Sequence, residues 1–395
     1  MKQAWRAADR AAELLAAARG WLAAGIIDEK AFGSIAADQA LAGPRLGPIW
    51  RALVFACVVV GVSTATAIGF ISFGLRGATG VGSLLLIFGA ALAVTTDVII
   101  ERSAYQPTGG EAATSLLAAG YICSGAYVLL DEALRLGGAR ALPLTYLWCA
   151  AVFALAAWRW GIRLYAGVAV VFVLLLSAQV PGARPAWILV AALCAAGASV
   201  VNATRDLAPS HRDGIELARL VALGAIYVAV NYYSVDQGWL EEIGRVIGGP
   251  HPRAGHLGLT LAAVGSAAYP LGLLAWGLRS RSRALIGMGI LAAALSLTTI
   301  RFYIHVAPLW AVLAAAGGAL AGASLLLERW LRSGRDAERF GFTAAPLYDE
   351  GRRERLLPVA AALALAPQAN ALPQGSTGAA GKGGSFGGGG VGGTF

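Results

Sequence analysis

The chain has 395 residues, of which 57% are hydrophobic and only 13% charged, with a mean hydropathy of +0.66. That balance excludes a water-soluble globular protein, because apolar stretches of membrane-spanning length recur through most of the sequence. The net charge of +9 fits a surface facing anionic lipid. No arrangement of basic residues interleaved with aromatics is present, so nucleic-acid binding is excluded as well.

Residues 1–49 read as a cytoplasmic helical hairpin. An Ala-rich helix runs through Trp21 and Leu22 and stops at Gly25, which can take the left-handed conformation beyond a helix end. Asp28 can cap a second helix. Charges run throughout this segment and no short apolar core precedes a small-residue cleavage site, so insertion is expected to begin at the first span.

From residue 50 to 327 the spacing predicts a transmembrane bundle. A hydrocarbon core of about 30 Å takes about 20 helical residues to cross. About ten runs satisfy this, at approximately 50–74, 79–100, 112–131, 141–158, 162–180, 185–203, 217–235, 257–278, 284–303 and 307–327. The runs are continuously apolar rather than alternating, which predicts an all-α polytopic helix bundle and not a barrel. Inward loops would hold Arg102, Arg159, Arg163, Arg205, Arg212, Arg219, Arg279, Arg281 and Arg283, and with an even number of spans both basic termini join them. The expectation is therefore an inner-membrane protein with both termini cytoplasmic.

Between the seventh and eighth runs, Trp239, Leu240, Ile243, Val246 and Ile247 share a helical face opposite Glu241, Glu242 and Arg245, which predicts a short interfacial helix. Residues 328–366 are charged and then briefly apolar, too short to span, and read as a cytoplasmic interfacial segment. Residues 367–395 form a Gly-rich tail expected to be disordered. Cys57, Cys123, Cys149 and Cys194 each lie within a span without a CxxC pair and are expected to be small buried hydrophobes.

The pattern Trp21-Leu22-x-x-Gly25-Ile26-Ile27-Asp28-x-x-x-Phe32 resembles the N-terminal cytoplasmic segment of uncharacterised bacterial multi-spanning membrane protein families, those classed as domains of unknown function. The region Arg301-Phe302-Tyr303, Pro308-Leu309-Trp310 and Arg329-x-x-Leu331-Arg332 is similar to the closing spans of the same families. The ending Gly383-Gly384-Ser385-Phe386-Gly387-Gly388-Gly389-Gly390 resembles the tails of TPM-domain membrane proteins, which implies a shared handling of the tail by a partner or protease. None of these resemblances implies a reaction.

Polar residues inside apolar spans are the candidates for function. Asp97 near the end of the second run, Asn231 at the end of the seventh, and the cluster Arg301, Tyr303 and His305 at the end of the ninth could serve a solute or a proton. Pro270 sits mid-span after Gly265, Ser266 and Tyr269, and should kink its helix near the membrane midplane, as in transporters. His251 and His256 near Glu241 and Glu242 show no tetrahedral ligand set, so neither a metal nor another cofactor is expected.

No paired acids and no nucleophile-and-base arrangement are present, which argues against an enzyme. The expected function is a membrane scaffold or sensor working through a protein partner at residues 1–42 or the C-terminal tail; the alternative is a secondary transporter of a small solute. Convergence of Asp97, Asn231, Pro270 and Arg301 on one cavity would favour transport, and their dispersal would favour scaffolding. The oligomeric state is not legible.

Overall fold

The computed structural model describes residues 3–38, 47–74, 77–102, 108–136, 138–180, 183–240, 255–304, 308–333, 338–339 and 342–343. Among these residues the chain is all-α apart from one two-residue strand pair. It divides into two compact units, Met1–Leu327 and Glu328–Phe395.

The helices are α1 (Gln3–Ala23), α2 (Glu29–Asp38), α3 (Pro48–Ser72), α4 (Ala78–Arg102), α5 (Gly110–Val128) running into a π-helical turn (Leu129–Ala133), α6 (Gly138–Trp160), α7 (Arg163–Ser177), α8 (Ala183–Thr204), α9 (Pro209–Val230), α10 (Tyr232–Asp236), α11 (His256–Arg279), α12 (Arg283–Ile304) and α13 (Leu309–Arg332). In the second unit, Glu328 and Arg332 pair across one turn at 2.6 Å, and β1 (Glu338–Arg339) pairs antiparallel with β2 (Phe342–Thr343).

Seven helices, α3, α4, α5 with its π turn, α6, α8, α11 and α12, are long and apolar enough to cross a membrane. The expected count of ten is therefore not confirmed. The run at 162–180 gives only the fifteen-residue α7, because Gly161 turns the chain with φ +69° just before it and the helix ends at Ser177. The run at 217–235 belongs to α9, which starts at Pro209, carries His211, Arg212, Asp213, Glu216 and Arg219, and stops at Val230. α13 is not among the seven, and several of its side chains lie outside the described residues.

The surface of these helices is that of a protein dissolved in lipid. Only 6% of the apolar window of α3 is covered by protein, and Ile49, Trp50, Ile68 and Ile71 point away from the bundle. In water such a face would be an association site; in hydrocarbon it needs no cover. Cys57 is exposed on the same helix, which corrects the expectation of burial; Cys123 and Cys149 are buried, Cys194 is half-buried, and all four are free thiols.

Lipid supplies no hydrophobic drive for helix pairing, so close backbone approach and hydrogen bonds take its place. On α4 and α5, a Cβ at Gly125 would lie 2.8 Å from Gly82 O, and one at Gly89 would lie 3.0 Å from Ile122 N. Thr96 Oγ1 also donates to Thr114 Oγ1 across this pair at 2.9 Å. α11 and α12 repeat the device, with Gly277 against Ile286 and Gly289 against Leu274.

α9 is the hub of the first unit. It touches α1, α6, α7, α8, α10, α11 and α12, and its residues enter two of the three buried apolar clusters. The N-terminal hairpin forms as the sequence suggests. Gly25 is left-handed (φ +69°), Ile26 N reaches Trp21 O and Gly25 N reaches Leu22 O, and Asp28 Oδ1 accepts from Ala31 N at 2.7 Å. The hairpin docks on the start of α9. Ala208, the residue before that helix, offers no side-chain cap, and Asp9 of α1 supplies one by accepting from Ser210 N at 2.8 Å. Arg10 pairs with Asp206 at 2.9 Å beside it.

The glycine contacts give a direct stability test. Gly125→Ala should lose about 1–3 kcal/mol by forcing α4 and α5 apart. Gly120→Ala on the same helix meets nothing within 4 Å and should be neutral or stabilising. Equal unfolding midpoints of the two variants in mixed micelles would refute the close contact.

Candidate functional site

The helix that organises the bundle does not finish cleanly. Asn231 is extended (φ −70°, ψ 130°) between α9 and α10, so the backbone breaks at a residue only 6% exposed. Neither Gly nor Pro causes this. Asn is suited to it because its short side chain can replace helical backbone bonds. Here Asn231 Oδ1 caps α10 by accepting from Ser234 N at 3.3 Å.

A break inside a bundle frees backbone groups that need partners. Tyr232 N, an orphan at the start of α10, donates to Ser266 Oγ at 2.7 Å. Ala229 O, near the end of α9, accepts from Arg184 Nη1 at 2.7 Å, and Trp187 Nε1 reaches Ala225 O at 3.0 Å. α11 can come this near because Gly265 has no side chain: a Cβ there would lie 3.2 Å from Val230 O.

Pro270 joins the same network through the carbonyl it leaves free. Having no N–H, it cannot bond Ser266 O one turn back. Ser296 Oγ of α12 donates to that oxygen instead, at 2.6 Å. With the Ser296 proton so used, Tyr227 OH donates to Ser296 Oγ at 2.9 Å and itself accepts from Asn231 Nδ2 at 2.8 Å. Asn231 Nδ2 also reaches Thr299 Oγ1 at 3.2 Å. A continuous chain of buried hydrogen bonds thus runs from the break in α9 to the carbonyl that Pro270 leaves free in α11, with α12 between them.

Beside this network lies a cavity of about 370 Å³ lined by Tyr227, Val228, Asn231, Tyr233, Ser234, Trp239, Leu295, Thr298, Thr299 and Phe302. Its aromatic side is built from Tyr233, which packs edge-on against Trp239 at 5.5 Å and against Phe302 at 5.1 Å between ring centres. Ser234 is 3% exposed, and its Oγ is enclosed without a hydrogen-bond partner. Almost all its neighbouring polar groups are satisfied, which makes that one conspicuous.

Of the residues singled out from sequence, Asn231 and Pro270 therefore meet, Pro270 through Ser266. Tyr303 lies one turn past Thr299, donates to Asp236 Oδ2 at 2.5 Å and packs edge-on against Tyr232 at 4.9 Å. Arg301 is half-buried on the same helix, with its Nε enclosed and unpartnered, but it does not line the cavity. His305 lies outside the described residues, as do His251, Glu241, Glu242 and the expected interfacial helix beyond Leu240.

Asp97 belongs elsewhere. Its Oδ2 accepts from Arg159 at 2.6 Å and its Oδ1 from Trp160 Nε1 at 3.0 Å, tying α4 to the last turn of α6 next to a separate cavity of about 430 Å³. A cation at the C-terminal end of α6 is also favoured by the helix dipole. Both carboxylate oxygens are thus occupied in holding the bundle together. Among the described residues, no three His, Cys, Asp or Glu side chains gather as metal ligands would.

No family model, curated protein or solved structure matches the chain. The site has to be read from its own chemistry.

Sequence reasoning overlooked Ser234, Ser296, Thr299 and Arg184. Ser266 could have been weighted more heavily, since it is four residues before Pro270 and its carbonyl must be orphaned in any helix. The proposed relay between Ser296 and that carbonyl can be tested by a double-mutant cycle. Ser296→Ala should cost about 1–3 kcal/mol in the wild-type background. In a Pro270→Ala background, where the restored backbone N–H can bond Ser266 O, the same change should cost measurably less. Additive losses would show that Ser296 does not serve the carbonyl freed by Pro270.

Proposed function

We propose that this integral membrane protein is a sensor, in which occupancy of the cavity at the α9–α10 break is read by the helical hairpin docked at the other end of α9. The observation that carries this reading is that one helix has both attachments. α9 begins under Asp9, which caps Ser210 N, and ends at Asn231, which lines the cavity. A rigid helix shared by two sites is a physical means of coupling them, because a shift that improves one contact alters the other.

The coupling is suited to being reversible. The hairpin is held by an in-trans cap worth about 1 kcal/mol, aided by the exposed Arg10–Asp206 and Arg212–Glu13 pairs, each of which adds about 0–1 kcal/mol. Among the described side chains of α1, Leu15 and Ala18 are the buried ones. Such a contact can be shifted by a modest change at the far end of α9. A cytoplasmic hairpin completes this reading and rests on the arginine distribution among the loops.

A second reading, transport of a small solute, is favoured by the break in α9 lying against the proline-containing α11, since transporters form solute sites from interrupted helices. The two differ in whether the hairpin responds. In a background without the native cysteines, Arg10→Cys and Asp206→Cys can be cross-linked by a short bis-maleimide. Filling the cavity with Thr298→Trp should change the cross-linking rate on the order of fivefold or more, the usual scale of coupling between sites. Val94→Trp, on the lipid-facing side of α4, should leave it unchanged. A rate indifferent to Thr298→Trp in a correctly folded protein would remove the sensor reading and leave transport.

A further inference from the structure

We infer that the cavity at the α9–α10 break takes an uncharged, membrane-soluble molecule that carries an aromatic ring and one hydroxyl or carbonyl group; this rests on the reading of that cavity as a binding site.

Charge is decided first. None of the cavity's described lining side chains is ionisable as an acid or base near neutral pH. An ion brought into such a site costs several kcal/mol without a counter-charge. Among the described residues the nearest candidates do not face it: Asp236 accepts the Tyr303 hydroxyl, and Arg301 lies outside the lining.

The polar group follows from Ser234. A buried hydroxyl left unpaired forfeits the hydrogen bonds it made in water, so a ligand that supplies a donor or acceptor there recovers them. Asn231, Thr299 and Tyr227 cannot fill this role, because they are bonded to one another and to Ser296. Thr298 bonds back to Ala294 O at 2.9 Å, which leaves Ser234 Oγ as the enclosed, unpaired polar atom among the described lining residues.

The ring and the route of entry follow from the opposite wall. Trp239 is 50% exposed and Phe302 53% exposed, so the aromatic side opens outward from the bundle rather than into its core. On a bilayer-facing surface, that opening meets lipid, and a ligand already dissolved in the membrane can enter sideways and stack edge-on. The volume of about 370 Å³ is at the small end of ligand pockets.

The test uses the full chain in phosphatidylcholine nanodiscs, with equilibrium dialysis of 2-naphthol, 2-naphthoate and naphthalene and with empty nanodiscs subtracted. Saturable binding of 2-naphthol is expected, weakened roughly five- to tenfold by Ser234→Ala and more by Trp239→Ala. Trp239→Phe should restore part of the loss, which separates a missing ring from a misfolded chain, and Trp310→Ala on α13 should bind as wild type. Naphthalene should bind more weakly and ignore Ser234→Ala. Tighter binding of 2-naphthoate than of 2-naphthol, still lost in Trp239→Ala, would overturn the uncharged ligand class and keep the cavity as a site. Naphthalene binding as well as 2-naphthol would overturn the assigned polar group and make the cavity a seat for hydrocarbon. No saturable binding of any probe, or binding indifferent to Trp239→Ala, would overturn both the ligand class and the site.

Discussion

Inside hydrocarbon, a backbone N–H or C=O can bond only to protein, and at Asn231 this chain interrupts a helix in the interior of its bundle. The groups freed there dictate much of what surrounds them. Arg184 and Ser266 are placed to receive Ala229 O and Tyr232 N, Gly265 lets α11 reach Val230, and Asn231 itself caps the helix that follows. Pro270 adds a second irregularity nearby, and Ser296 answers it. Two interruptions that would each be expensive alone share one set of polar side chains.

That shared set explains why α9 can be the hub of the fold and yet stop at Asn231 inside the bundle. Its N-terminal half carries charges and meets the N-terminal hairpin; its C-terminal end meets a cavity instead of continuing into the next turn. The bundle around it is held by close glycine contacts and by apolar clusters, so the polar residues are free to be concentrated in one place. The ion pair of Asp97 and Arg159 lies apart from that place, and its geometry is that of a fastening between α4 and α6.

Much of the fold was legible because composition alone demands a helical membrane protein, and because Gly25 and Asp28 encode their turn locally. The number of spans was less so. Residues 162–180 are apolar enough to span, yet Gly161 and the turn after Ser177 leave a helix of fifteen residues; hydropathy does not record where a helix begins. In the candidate site, Asn231 and Pro270 stood out as polar or helix-breaking residues in apolar runs. Their meeting did not, because Ser296 and Thr299 are ordinary in a span until a carbonyl four residues before a proline is brought to them from another helix. The pairing of Asp97 with Arg159 joins residues 62 apart and is a product of packing. The convergence looked for from sequence is therefore partial: Asn231 and Pro270 come together through Ser266 and Ser296, Arg301 does not line the cavity, and Asp97 is separate.

The break at Asn231 is a built element of the bundle, in which Ala229 O, Tyr232 N and Ser234 N each bond to a side chain. Amide hydrogen exchange of the protein in nanodiscs, resolved at Tyr232 and Ser234, tests it most directly. Tyr232 N–H is bonded to Ser266 Oγ and Ser234 N–H to Asn231 Oδ1, so both should exchange as slowly as amides in the middle of α9, and Ser266→Ala should speed exchange at Tyr232. Rapid exchange at both positions in the wild-type protein would contradict the account, because it would mean that the interruption is an open loop and not a structured site.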